Sequence, residues 1–311
     1  MKIRLGYACL PVTIKETSSS TLTYTNYKKL GTNKGNEKLN SVILSNFKSL
    51  ENILKYNIKN NIIFYRMTSN LIPLGTHNDV KFEIFKRYKN EFLNIGNIIK
   101  NNNLRVDMHP DQYCVLNSTN EKVVESSISI LKFSYAMMNA MDIKSKLVLH
   151  VGGKGNSKKE GIERFINNFN KLDKRIKKSI ILENDDKIYN IIDVLQICKK
   201  LNIPMVLDYH HFKVNNNGEK IEDYIGEIFD TWNEEIPKIH FSSPKNKKEF
   251  RSHNDYIDVF DFVEFLNKIS FTKRDFDVMI EAKSKDDALF RLVRTLKYYD
   301  FDIEGTTIFI K

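Results

Sequence analysis

The stretch Ser179–Tyr209 reads SIILENDDKIYNIIDVLQICKKLNIPMVLDY. It opens on a short β-rich run, SIILEN (Ser179–Asn184), and closes on another, PMVLDY (Pro204–Tyr209). Between them, IIDVLQICKKL places Ile191, Val194, Leu195 and Cys198 at the i, i+3, i+4, i+7 spacing of one buried helix face. A strand, a helix and a second strand make a βαβ unit, and such units build parallel sheets.

The same rhythm runs outward along the chain. Strand candidates are KIRLGY (Lys2–Tyr7), NIIFYRM (Asn61–Met67), LRVDM (Leu104–Met108), KLVLHV (Lys146–Val151), PKIHFS (Pro237–Ser242) and DVMIEA (Asp277–Ala282), besides the two above. Helical patterns such as SVILSNFKSLENILKYNI and VVESSISILKFSYAMM separate them. Eight units predict an α/β fold, a (β/α)8 TIM barrel, for which about 250 residues is typical and loop insertions supply the rest. A doubly wound open sheet is the main rival. No linker or repeat divides the chain, so residues 1–311 are expected to form one barrel domain. The polar stretch Thr13–Asn40 reads as a long loop after the first strand.

The composition, 41% hydrophobic and 28% charged, is that of an ordinary soluble protein. The N-terminus is a poor signal peptide, interrupted by Gly6 and Pro11. No apolar run nears the roughly 18 residues of a membrane span, so no membrane partner and a cytoplasmic location are expected. Cys9, Cys114 and Cys198 are far apart, which argues against disulfides and thiolate zinc sites and for small apolar side chains. The net charge of +10 suits a polyanionic partner such as nucleic acid, although a Lys- and Asn-rich composition alone produces it too.

The chemistry-bearing residues gather at strand ends. His109 follows the third strand, His150 ends the fourth, Glu183 the fifth and Asp208 the sixth, with His211 three residues on. His240 ends the seventh strand and Glu281 the eighth, while His77 and His253 lie in the loops after strands two and seven. Six of the seven histidines thus fall at strand ends or in βα loops and none in a helix; His210 is read as a supporting neighbour of His211. In a barrel these positions converge on the C-terminal face, where active sites sit. Clustered carboxylates without cations repel and raise their own pKa values. Divalent metals remove that conflict, and a His/Asp/Glu set of this size suits two or three ions such as Zn²⁺ or Mn²⁺. Any one of these residues alone is more simply a core or surface side chain; the set is not.

Other motifs are weaker. VGGKGNSKKEG (Val151–Gly161) lacks the phosphate-loop spacing, and no G-x-G-x-x-G follows a strand, so no nucleotide cofactor is expected. The basic runs Lys28–Lys34 and Lys245–Lys248 are of a kind that is usually just solvated loop, but they fall in βα loops on the site face, where they could touch phosphates.

With these residues in place, the chain resembles the UV damage endonuclease family (UvsE/UVDE). The resemblance covers roughly Ile3 to Lys283 and is carried by RLGYAC, YRMTSNLIPLGTH, MHPDQY, LVLHVGG, LEND, the Asp208-x-x-His211 spacing, KIHFSS and VMIEAK. It implies a metal-dependent barrel that nicks double-stranded DNA immediately 5′ to UV photoproducts. It implies metal ligands at His109, His150, Glu183, Asp208, His211, His240, His253 and Glu281. Up to three divalent ions are implied, manganese favoured, with Zn²⁺ or Mg²⁺ as alternatives. Lys238 matches a family lysine beside the metals that can be carboxylated, Gln112 and Tyr113 match a pair that probes the lesion, and Tyr7 and His77 match residues lining the DNA site. The chain departs from the family at Leu10 and Pro11, where an Asn is common. A monomer is expected.

Phosphodiester hydrolysis fits the residues independently of that likeness. Glu183, on the central strand of the ligand run, is the candidate to bridge two ions, and Lys238 shares a strand face with His240 two residues on. These two are the catalytic candidates, with Lys238 read alternatively as a barrel-lining lysine paired with a carboxylate. The rival activity is a metal-dependent sugar isomerase or epimerase, which gathers similar ligands but has no use for a basic surface.

Overall fold

The structure, a computed structural model, describes residues 1–80, 82–110, 113–299 and 301–310. The stretch Ser179–Tyr209 folds as a strand, a helix and a strand, for local reasons. The helix Ile191–Leu201 starts at Asn190, whose side chain accepts from the Asp193 N–H while the Asp193 carboxylate accepts from the Asn190 N–H, a reciprocal capping box. It stops at Asn202, which adopts the left-handed conformation with φ 53°. The flanking strands, Ile180–Glu183 and Met205–Asp208, pair in parallel.

Eight parallel strands close on themselves: β1 (Lys2–Ala8), β2 (Phe64–Met67), β3 (Arg105–Met108), β4 (Leu147–His150), β5 (Ile180–Glu183), β6 (Met205–Asp208), β7 (Lys238–Phe241) and β8 (Phe276–Ile280). Closure is made by β1, which pairs with β8 along one edge and with β2 along the other, so the open-sheet rival is excluded. The outer ring is α1 (Tyr24–Leu30), α2 (Thr32–Lys59), α3 (Ile84–Arg87), α4 (Lys89–Asn101), α5 (Glu121–Ala140), α6 (Lys158–Asn170), α7 (Lys174–Ser179), α8 (Ile191–Leu201), α9 (Tyr209–Val214), α10 (Ile225–Asp230), α11 (Val259–Ile269) and α12 (Lys285–Leu296). Among the described residues, no helix is long and apolar enough to cross a membrane.

Strand parity divides the core. Ile3, Leu5 and Tyr7 of β1, Leu147 and Leu149 of β4 and Phe276, Val278 and Ile280 of β8 point outward and join the helices in one large apolar cluster. The inward residues form small separate clusters: Val148, Ile181 and Val206 over Trp232, and Ala8, Phe64 and Met279. The rest of the interior is charged. Arg4 and Arg105 both clasp Asp277, Lys238 pairs with Asp107 at 2.5 Å, and Arg66 donates to Glu281 at 2.6 Å.

Three features differ from the reading of the sequence. Part of Thr13–Asn40 is helical rather than loop: Thr23 caps α1, and α2 begins at Thr32. A C-terminal hairpin, β9 (Asp302–Glu304) and β10 (Thr307–Phe309), was not anticipated; β10 runs antiparallel along Lys2–Arg4, covering the part of the β1 edge that β2 does not reach. Those backbone groups would otherwise lack partners. His210 and His211 lie in a helix after all, the short α9, which Asp208 caps by accepting from the His211 N–H at 2.7 Å.

Closure of the barrel needs Gly6. It faces inward on β1 opposite Phe64, and a Cβ there would overlap the Phe64 carbonyl oxygen. Gly6→Ala is therefore expected to cost about 1–3 kcal/mol through overpacking, and thermal unfolding should show a midpoint lower by several degrees. An unchanged midpoint would mean that the β1–β2 seam is looser than described.

Candidate metal centre

The inward parity of the barrel delivers one ligand-type residue at the C-terminal end of each strand from β3 to β8. His150 lies directly beside Glu183 in the ladder, and Asp208 beside His240. Glu183, Asp208 and His240 are buried at 2%, 0% and 0% exposure, while His109, His150 and His211 line the opening above them. Glu183 is the common member. Its Oε2 lies 3.6 Å from His109 Nε2 and 3.6 Å from His150 Nε2. Its Oε1 lies 3.0 Å from His240 Nδ1 and 3.6 Å from His211 Nδ1. His240 Nδ1 is also 3.2 Å from Glu281 Oε1.

These atoms approach without hydrogen-bonding. Glu183 Oε2, Asp208 Oδ2, His150 Nδ1 and both ring nitrogens of His240 are buried and, among the described residues, have no hydrogen-bond partner. Buried orphans of this kind are costly and rare. Three groups bring one ligand atom per residue within 4.8 Å of one another: His109, His150 and Glu183; Glu183, Asp208 and His211; Glu183, His240 and Glu281. Lone pairs that converge on shared points while missing one another fit divalent cations, and the all-N/O donor set suits Mn²⁺ or Zn²⁺.

Second contacts fix the orientation of several of these groups. His109 Nδ1 lies 2.9 Å from the Pro110 carbonyl and His211 Nδ1 2.9 Å from the Asn184 carbonyl. A carbonyl can only accept, so both nitrogens carry hydrogen; in His109 this leaves the lone pair on Nε2, the nitrogen that faces Glu183. Asn184, fully buried, exchanges hydrogen bonds with the Asp208 backbone at 2.9 and 3.0 Å. Arg66 holds Glu281 from inside the barrel.

The electrostatics suit a site that could hold cations. Burial would push Glu183 up, but the His240 and His150 imidazoles outweigh it and hold the carboxyl well below its usual range. Burial pushes His150 and His240 down, toward the neutral form that ligates. Burial also pushes Asp208 up to about 7. His211 goes the other way: burial lowers it, yet Asp208, Glu183 and Glu281 raise it to about 9.

The structure thus assembles His109, His150, Glu183, Asp208, His211, His240 and Glu281. His253 stands outside the three groups, its ring centroid 6.4 Å from that of His211. Lys238 faces inward below His240 but is only 1% exposed, and its ammonium is held by Asp107. That is the alternative the sequence allowed, a barrel-lining lysine paired with a carboxylate; burial lowers it to about 8 against the pull of Asp107. Tyr7 does not line the face at all: it points outward, is fully buried, and donates to Asn57 of α2 at 2.8 Å. His77 is half-buried, stacked on Tyr24 at 3.9 Å, and its Nδ1 accepts from the Asp79 N–H. Tyr113 is 72% exposed; Gln112 lies outside the described residues. Sequence reasoning missed Arg66 and Asn184. The signal for Arg66 was a cation within a four-residue buried strand, which demands a partner.

A family described as UV-endonuclease UvdE matches residues 3–307. The UV DNA damage endonuclease of Bacillus cereus (strain B4264) is 39% identical over 301 residues, 95% of either chain. The structure described as the crystal structure of SacUVDE superposes with a TM-score of 0.87 at 33% identity, covering 96% of this chain and 99% of that one. A 3-keto-D-glucoside 4-epimerase, YcjR, from E. coli reaches a TM-score of 0.56 at 10% identity over 94% of this chain and 99% of its own, and shows only a common fold. The barrel by itself therefore does not choose between nuclease and epimerase, whereas the match along nearly the whole sequence does: the chain belongs to the UV-endonuclease UvdE family.

Proposed function

We propose that the chain is a metal-dependent DNA repair endonuclease that hydrolyses the phosphodiester bond immediately 5′ to UV photoproducts in double-stranded DNA. The observation that carries the metal dependence is Glu183, a buried carboxylate whose two oxygens face two imidazoles each without hydrogen-bonding to them. One ion fits between His109, His150 and Glu183, and a second between Glu183, His240 and Glu281, with Asp208 adjoining. The remaining group, Glu183, Asp208 and His211, could hold a third. Bound divalent ions, manganese favoured, would supply a lowered pKa for the attacking water and charge neutralisation on the phosphate.

The protein's own groups do the rest. Glu183, shared by all three groups, would help to hold each ion, Arg66 holds Glu281, and Asn184 aligns Asp208 with His211. Lys238, if its proton is lost, becomes an amine open to carboxylation. The net charge of +10 gives salt-dependent phosphate affinity. Tyr113, four residues beyond His109 and 72% exposed, is available to stack in a distorted step, with Gln112 beside it in sequence. A damaged step costs less to unstack than an intact one. The half-buried His77 can present Nε2–H to the DNA, since its Nδ1 is already an acceptor.

Glu183→Gln should lower nicking of irradiated supercoiled plasmid by roughly 10³-fold or more, several kcal/mol of transition-state stabilisation, with the fold intact by circular dichroism. EDTA should abolish nicking by the unmodified protein and added Mn²⁺ should restore it. Full activity of either the variant or the chelated protein would sink the metal assignment.

Metal binding should release protons. With His211 raised to about 9 and Asp208 to about 7, both hold protons at pH 6, and a cation must displace them. Affinity is expected to rise with pH between 6 and 9. Calorimetric titration of Mn²⁺ in buffers of different ionisation enthalpy checks this; identical heats would contradict it.

Replacing both Gln112 and Tyr113 by Ala should reduce the ratio of binding to damaged over intact duplex. A ratio equal to that of the parent protein would remove these residues from lesion sensing.

A further inference from the structure

Residues 244–253, between β7 and α11, form a tightly built loop. Pro244 and His253 make an isolated antiparallel bridge, Lys245 N–H donates to the Ser252 carbonyl at 2.7 Å, and Asn254 N–H to the Ser243 carbonyl at 2.8 Å. Inside the loop, the Asn246 side chain accepts from the Lys248 and Glu249 N–H groups. Arg251 anchors it to Asp186, in the loop after β5, at 2.6 Å. This rigid frame displays Phe250 at 40% exposure. The underside of its ring rests on His210, centroids 5.8 Å apart, and His210 is fully buried and meets His253 edge-on at 5.5 Å. Lys247 and Lys248 beside it are exposed, and among the described residues neither enters an ion pair.

An aromatic face flanked by unpaired cations is the composition of a single-strand stacking platform. Its position sharpens the point. Tyr113 lies in the segment after β3 and Phe250 in the loop after β7, and in the closed barrel of eight those two strands are four apart, on opposite sides. We propose that Phe250, with Lys247 and Lys248, forms a second nucleotide contact across the metal centre from Tyr113, gripping the DNA on the side of the scissile phosphate away from the lesion. The proposal rests on the nuclease reading above.

The test uses the Mn²⁺-loaded protein and an end-labelled duplex carrying one defined photoproduct. Phe250→Leu keeps apolar packing on His210 but removes the aromatic face; Phe250→Tyr keeps both. Phe250→Leu is expected to bind the duplex about tenfold more weakly with unchanged metal content, and Phe250→Tyr to bind like the parent. Replacing Lys247 and Lys248 by Ala should lower the salt slope of binding by about two. On a substrate truncated one nucleotide beyond the scissile phosphate on the side away from the lesion, parent and Phe250→Leu should become equal. Parent-like binding by Phe250→Leu, or a loss of metal in step with its loss of binding, overturns the platform. Failure of the parent protein itself to bind and cut the duplex overturns the nuclease reading with it.

Discussion

Glu183 is an ionised carboxylate with 2% exposure. A charge taken that far out of water is expensive unless it is compensated. Four imidazoles surround it at 3.0–3.6 Å, yet Oε2 has no hydrogen bond. Cations between these groups would satisfy carboxylate and imidazoles together, which hydrogen bonds in the protein alone leave undone. Much else in the mouth can be traced to that compensation. The hydrogen bonds to Pro110 and Asn184 turn the lone pairs of His109 and His211 to Nε2, and Arg66 restrains Glu281. The cluster is a joint product of strand parity, which aims the side chains, and of short loops, which fix their tautomers.

The barrel was legible in the sequence because each strand is a short β-rich run and each helix keeps its apolar period. SIILEN and PMVLDY became β5 and β6, each one residue shorter at either end, and IIDVLQICKKL became α8 with its bounds unchanged. The gathering of these His, Asp and Glu side chains was legible for the same reason: a residue at a strand's C-terminal end has a known destination in a closed barrel. What escaped was mostly chemistry of caps and turns. Polar α1 hides in a Ser/Thr/Asn-rich stretch, and only Thr23 as cap betrays it. The Asp208-x-x-His211 spacing looked like a ligand pair on a loop, but it is also the relation of a helix cap to its third residue. The two readings are compatible, since capping uses Asp208 Oδ1 and leaves Oδ2 facing the cluster.

Tyr7 shows the opposite lesson. Ile3, Leu5 and Tyr7 alternate with Arg4, Gly6 and Ala8, so the parity of β1 already sent the tyrosine away from the mouth. A likeness to other proteins placed it near DNA; the pleat places its hydroxyl on Asn57 of α2. Tyr7 can influence the face only through the position of α2 and of the β1 end, where Cys9 turns with φ 67°.

The charged interior has a cost that an apolar filling would avoid, because replacing buried ion pairs by packed hydrophobic side chains often stabilises a protein. An apolar floor, however, would lie directly beneath Asp208, Glu183 and Glu281. Burial already raises Asp208 to about 7, and a floor without cations would drive its neighbours in the same direction. Arg66 acts against this: beside Glu281, it holds that carboxyl far down, and its field extends to Glu183. Lower in the barrel, Lys238 with Asp107 and Arg4 and Arg105 with Asp277 balance their own charges. The interior therefore gives up packing energy to keep Glu183 and Glu281 ionised at the mouth, the state in which they could hold divalent ions at neutral pH.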